Sequence, residues 1–226
     1  MEIQEKKVFN VSTRFCAVLL LVGPFLTLRS YSQEVPRTMT KITTKIIEPK
    51  PESGSFEAQE KVWWRAGTKY ARVAEAPDPK NHIHGLAIIK EPDVWMINLF
   101  EKSGRHSIDP GPTFNVHLPI FPEPSGNKMK VNELEFGNEV EFFQKNDAKQ
   151  TSGELLDGKT TIRHDLILGD IRVVLWTDAK SKKPVRISLV QSAQRETIAY
   201  VAYDDELVFD PTLFLPPTGI AVVDSK

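Results

Sequence analysis

The chain has 226 residues, 40% hydrophobic and 26% charged, with a formal net charge of -1. That length suits one substantial domain with its own core and leaves two full domains cramped. The near-neutral charge argues against a nucleic-acid-binding surface.

The N-terminus has the layout of a secretory signal peptide. Lys6, Lys7 and Arg14 lead into the apolar run Phe15–Leu28, and Ser30-Tyr31-Ser32 places small residues before a cut at Ser32-Gln33. The run is shorter than the roughly 20 residues a helix needs to span a bilayer, and Gly23-Pro24 interrupts it. An uncleaved membrane anchor is the alternative. Residues 1–32 are thus expected to be a signal peptide, and 33–226 the exported domain. Cys16 is the one cysteine and precedes the cut, so the mature chain has no disulfide, and no thiol stands where a lipid anchor would attach. Stability must come from the core.

In chain order, residues 38–47 are rich in threonine and isoleucine and predict a strand. After the loop 48–55, residues 56–65 alternate, with Phe56, Ala58, Val62 and Trp64 on one side and Trp63 on the polar side. The turn 66–68 leads into a short strand, 69–73. Residues 86–89 and 94–100 predict a hairpin, and a turn at 101–105 leads into 106–108. Pro110, Pro112, Pro119, Pro122 and Pro124 mark a long connection without regular structure. A helix is predicted over 132–146, capped by Asn132, with Phe136, Val140 and Phe143 on one stripe and Gly137 weakening it.

Turn-rich residues 153–158 then lead into a strand over 160–168. In the segment 171–190, Ile171, Val173 and Leu175 oppose Arg172, Val174, Trp176 and Asp178, and Val185, Ile187 and Leu189 repeat the pattern after a polar break. This predicts a hairpin in the middle of a large antiparallel sheet. A strand over 197–203 and a proline-rich tail follow. The fold class is mainly β (α+β): a single curved antiparallel sheet of roughly ten strands with one or two covering helices.

No hydrolase signature or phosphate loop is present, so no catalytic residue is assigned and an enzyme is not expected. His82 and His84 lack further ligands at metal spacing, and Asp204-Asp205-Glu206 reads as a solvated turn. Neither a metal nor a cofactor is expected.

Four stretches carry a family resemblance: Glu60-Lys-Val-Trp-Trp-Arg-Ala-Gly-Thr-Lys-Tyr-Ala-Arg72, Glu91-Pro-Asp-Val-Trp-Met-Ile-Asn98, Val174-Leu-Trp-Thr-Asp-Ala-Lys-Ser-Lys-Lys-Pro-Val-Arg186 and Phe209-Asp-Pro-Thr-Leu-Phe-Leu-Pro-Pro-Thr-Gly-Ile220. In this order they resemble the periplasmic lipoprotein-carrier (LolA-like) superfamily. The resemblance implies an open half-barrel whose concave apolar face, under helices, holds acyl chains of lipoproteins or another lipid. It also implies a periplasmic protein, expected to be a monomer. The same scaffold serves protein-binding envelope regulators, the alternative role.

For a carrier, alternation selects Val62, Trp64, Trp95, Ile97, Leu99 and Trp176 as lining residues, with Arg72 as the polar contact. Core packing is the commoner fate of strand tryptophans, and alternation does not say which face is hollow.

Overall fold

The computed structural model describes residues 35–225 apart from 112–113, 115, 122–129 and 193. The expected signal peptide and its cut lie outside the described residues. Two antiparallel meanders make one sheet. The first runs through β1 (Thr38–Glu48), β2 (Lys61–Ala66), β3 (Tyr70–Ala74), β4 (Gly85–Lys90), β5 (Asp93–Asn98) and β6 (Ser103–Ile108). The second runs through β7 (Lys149–Leu156), β8 (Lys159–Leu168), β9 (Ile171–Asp178), β10 (Pro184–Gln191) and β11 (Gln194–Val208). They fuse where β1 pairs with β11, and a last strand, β12 (Ala221–Asp224), adds to β6, giving the order β12-β6-β5-β4-β3-β2-β1-β11-β10-β9-β8-β7.

Local chemistry explains the second meander. Asp157 and Gly158 both have positive φ and join Leu156 to its partner Lys159, the geometry of a two-residue type I′ hairpin. Asp178 Oδ1 accepts from the backbone N–H of Lys180 and Ser181 at 2.9 and 2.7 Å, closing the turn between β9 and β10. The register across that hairpin sets Leu175 beside Ile187 and Val173 beside Leu189, so one face is continuously apolar.

The long connection between β6 and β7 must cross nearly the whole sheet, because those strands lie near opposite edges. It does so over one face, called the inner face below. Within it lie a 3-10 turn, Lys130–Glu133, and one helix, α1 (Glu139–Lys145). Phe136 packs on Trp63 of β2 with ring centroids 4.2 Å apart, and Phe143 meets His164 of β8 at 6.2 Å. Five strand spacings separate those contacts, about 24 Å in a flat sheet. A mostly helical stretch of that length does not reach so far, so the sheet curls around it and stays unclosed.

Several expectations change. The helix covers only the second half of 132–146, because Gly137 takes a φ of +90° and Asn138, not Asn132, precedes the first turn. Residues 52–59 form successive turns, so Phe56 and Ala58 do not belong to β2. The hairpin β9–β10 lies towards one edge; the middle of the sheet is the seam of β1 with β2 and β11. The sheet has twelve strands, and β12 runs parallel to β6. Among the described residues, no helix is long and apolar enough to cross a membrane.

Candidate functional site: the covered inner face and its mouth

The inner face is built by alternation. Ile42, Leu166, Val173, Leu175, Ile187 and Ile198 form one buried cluster with Ile120, Phe121, Val131, Leu134, Phe136, Phe142 and Phe143 of the cover. Trp63 belongs to this cluster too, its indole N–H donating to Thr44 Oγ1 at 3.0 Å. That corrects the polar side assigned to Trp63. The sequence signal was ambiguous because Trp63 and Trp64 are adjacent, and one must face each way.

Charged groups also fasten the cover. Glu139 is 1% exposed, and its carboxylate accepts from Tyr200 Oη at 2.9 Å, from Tyr203 Oη at 3.5 Å and from the Gly137 N–H at 2.9 Å. Burial raises the Glu139 pKa above the usual carboxylate range, and burial beside this carboxylate raises that of Tyr200 further. Glu135 pairs with Arg65 of β2 and accepts from the Leu118 N–H at 3.0 Å. Gly137 lets the backbone pass Arg65 closely: a β-carbon there would come 3.0 Å from Arg65 Cδ.

An opening remains at one end. Pro119, Ile120 and Phe136 of the cover and Ile46, Trp63 and Ile198 of the sheet line an apolar pocket of about 190 Å³. It continues into a cleft of about 390 Å³ that shares Ile46 and Glu196, and then into one of about 960 Å³ that shares Pro49, Lys50 and Glu196. The apolar part alone is smaller than sites for drug-sized ligands, roughly 300–1,000 Å³. A longer apolar ligand therefore enters only if cover side chains such as Phe136 withdraw.

The residues selected from the sequence lie on the opposite, outer face. Register places Val62 beside Ala74, Trp64 beside Arg72, Ile88 beside Trp95, and Leu86 beside Ile97. Over part of this face runs the C-terminal segment, whose fully buried Phe214 packs in a cluster with Ile97, Trp64, Trp95 and Leu99. Arg72 lies over the Trp64 ring at 5.3 Å and donates to the Leu213 carbonyl at 2.6 Å, so the tail already occupies its guanidinium. Trp176 stands apart on β9, donating to Glu154 Oε2 at 3.0 Å with Arg163 over its ring. Six of the seven residues thus share the outer face of β2, β3 and β5 through the Leu99 end, and Trp176 does not join them.

At the sheet edge, His106 stacks on Trp95 and bridges Asp224 of β12, 2.7 Å from Nδ1, and Asp93, 2.8 Å from Nε2. Hydrogen bonds to Asp224, then Asp93, raise its pKa above the ordinary histidine value of 6.5. A folded-state pKa above the unfolded one gives a contribution that is full below the unfolded pKa and lost as pH rises through the folded one. Amide exchange of residues 221–224 is therefore expected to quicken above neutrality beyond its intrinsic rate, and His106→Gln should abolish that excess.

Neither a protein-family model nor a curated protein matches the chain. Solved structures do. An uncharacterized conserved protein from Thermus thermophilus is 11% identical over 84% of this chain and 91% of that chain, with a TM-score of 0.50. The MucA/MucB complex from Pseudomonas aeruginosa gives 9% identity over 82% of this chain and 58% of that chain, at 0.44. The LolA superfamily protein NE2245 from Nitrosomonas europaea gives 12% identity over 82% and 91%, at 0.33. The unclosed, curved sheet with its helical cover is a fold shared with the Thermus thermophilus protein.

Proposed function

We propose that this protein is an exported envelope binder that carries an acylated or otherwise hydrophobic ligand against the inner face of its sheet. The observation that supports this reading most is the covered apolar face with an open mouth at Trp63 and Phe136. A sheet of this size needs no opening there to be stable. In this reading the cover is a lid: its phenylalanines occupy the ligand's place when the site is empty, and acyl chain replaces them on loading. The exchange is close to neutral in apolar area, which keeps release accessible. The Glu139–Tyr200 and Glu135–Arg65 contacts bring the lid back to one position.

The proposal moves the ligand seat from Val62, Trp64, Trp95, Ile97 and Leu99 to Trp63, Ile46, Ile198 and Phe136. Uptake of a fluorescent acyl probe by the purified mature chain tests it. Saturable uptake, competed by hexadecanol, is expected; Trp63→Asp should weaken it tenfold or more, with circular dichroism unchanged, whereas Trp95→Ala should leave it intact. A protein that takes up no probe and yields no lipid on extraction would refute the reading.

A further inference from the structure

The mouth is chemically asymmetric. The cleft that continues the apolar pocket is lined by Glu52, Glu57 and Glu196 against a single cation, Lys50. Glu196 borders all three cavities, and burial raises its pKa against the opposing effect of Lys61. Its carboxylate has no hydrogen bond or ion pair among the described residues.

Of the neighbouring cations, Lys61, Arg186 and Arg195 each have another carboxylate partner. Lys61 binds Glu75 Oε1 at 3.0 Å and lies 5.3 Å from the Phe56 ring centroid. Arg186 binds Asp157 at 2.8 Å, and Arg195 reaches Glu48 at 3.9 Å. Lys45 and Lys50 are exposed. Ser55 also lines the cleft, and its buried hydroxyl oxygen has no hydrogen-bond partner among the described residues. A half-buried carboxylate and an orphaned hydroxyl therefore border a polar cleft that opens from an apolar pocket.

We infer that the mouth selects single-chain amphiphiles with an ammonium head group: the chain enters beside Trp63 and the head lies against Glu196. This rests on the carrier reading and adds the charge of the ligand. A cation restores to Glu196 the compensation it lost on leaving water, and an N–H donor satisfies Ser55 Oγ. An anionic head would meet three carboxylates there. The surplus is confined to that cleft, because the wider one beyond it is lined by Lys50, Arg186 and Arg195 against Glu48 and Glu196.

The test is calorimetric titration of the purified mature chain, below micelle formation, with dodecylammonium, laurate and dodecanol, for wild type, Glu196→Gln and Ser55→Ala. Thermal melts confirm that each variant is folded. Dodecylammonium is expected to bind wild type at least tenfold more tightly than laurate. Glu196→Gln should erase that preference and leave dodecanol unchanged, and Ser55→Ala should weaken dodecylammonium and dodecanol together, since both heads carry a donor. Equal binding of all three overturns the charge selection and leaves the carrier reading standing. A preference that survives Glu196→Gln overturns the role of Glu196, and binding of none overturns both readings.

Discussion

Replacing Phe143 with alanine should lower the stability of the domain by about 3–5 kcal/mol, the usual cost of deleting a fully buried aromatic ring. Phe143 has no exposed surface and packs its edge towards His164, at the far end of the cover from Trp63. The cavity would sit where the cover meets β8, with α1 too short to collapse into it. For a domain of this size, each kcal/mol shifts the melting temperature by roughly 2–4 °C, so a drop of about 6–20 °C is expected. Urea unfolding should show a lower midpoint with an unchanged slope. Ile167→Ala, at a position 72% exposed on β8, is the control and should change stability by no more than about 0.5 kcal/mol. If Phe143→Ala matched that control, the cover would contribute nothing to the folded state.

The second large effect is expected at Glu135. Its side chain is 11% exposed and that of Arg65 is 15% exposed, so removing one partner strands the other away from most of its water. Glu135→Ala should cost about 2–4 kcal/mol, somewhat below the 3–5 kcal/mol typical of fully buried pairs because some solvent reaches both groups. It also removes the acceptor for the Leu118 N–H. Arg65→Met combined with Glu135→Leu should be less damaging than Glu135→Ala alone, since neither charge is then orphaned. Equilibrium unfolding of Arg65→Met, Glu135→Leu and the double variant measures the coupling, expected at about 1–3 kcal/mol. Additive single effects would show that the pair is not part of the fastening.

The strands rich in β-branched and apolar residues could be read from the chain: β1, β4, β5, β8, β9 and β10 all lie close to their predicted spans, by alternation in β9 and β10 and by a continuous apolar run in β4, which is buried on both faces. The elements that escaped are those with little to bury. β7 has six of eight residues exposed, and all four residues of β12 are exposed, so neither has an apolar period to find. Both are edge strands, paired on one side only. The stripe Phe136, Val140, Phe143 marked the cover correctly, although the positive φ at Gly137 divides it. The mouth was harder. Its walls come from β1, β2, β11 and the long connection, and no local pattern shows that Ile46, Trp63, Phe136 and Ile198 converge. Glu196 gives no signal in sequence either, since its lack of a partner follows from where Lys61, Arg186 and Arg195 find theirs.

The seam between β1 and β11 bears on how the molecule can be made. Every other antiparallel pair joins strands consecutive in the chain, but Thr38 pairs with Val208 and Ile46 with Ile198. A chain emerging N-terminus first can build the first meander early, yet one edge of β1 stays open until the last long strand has appeared. Contacts this distant in sequence slow folding, and an open edge invites association with other chains. Lys41, Lys45 and four threonines interrupt the isoleucines along β1, which makes that waiting edge soluble. Closure of the seam is the event that turns two half-sheets into one curved wall, so the inner face exists only once β11 has emerged.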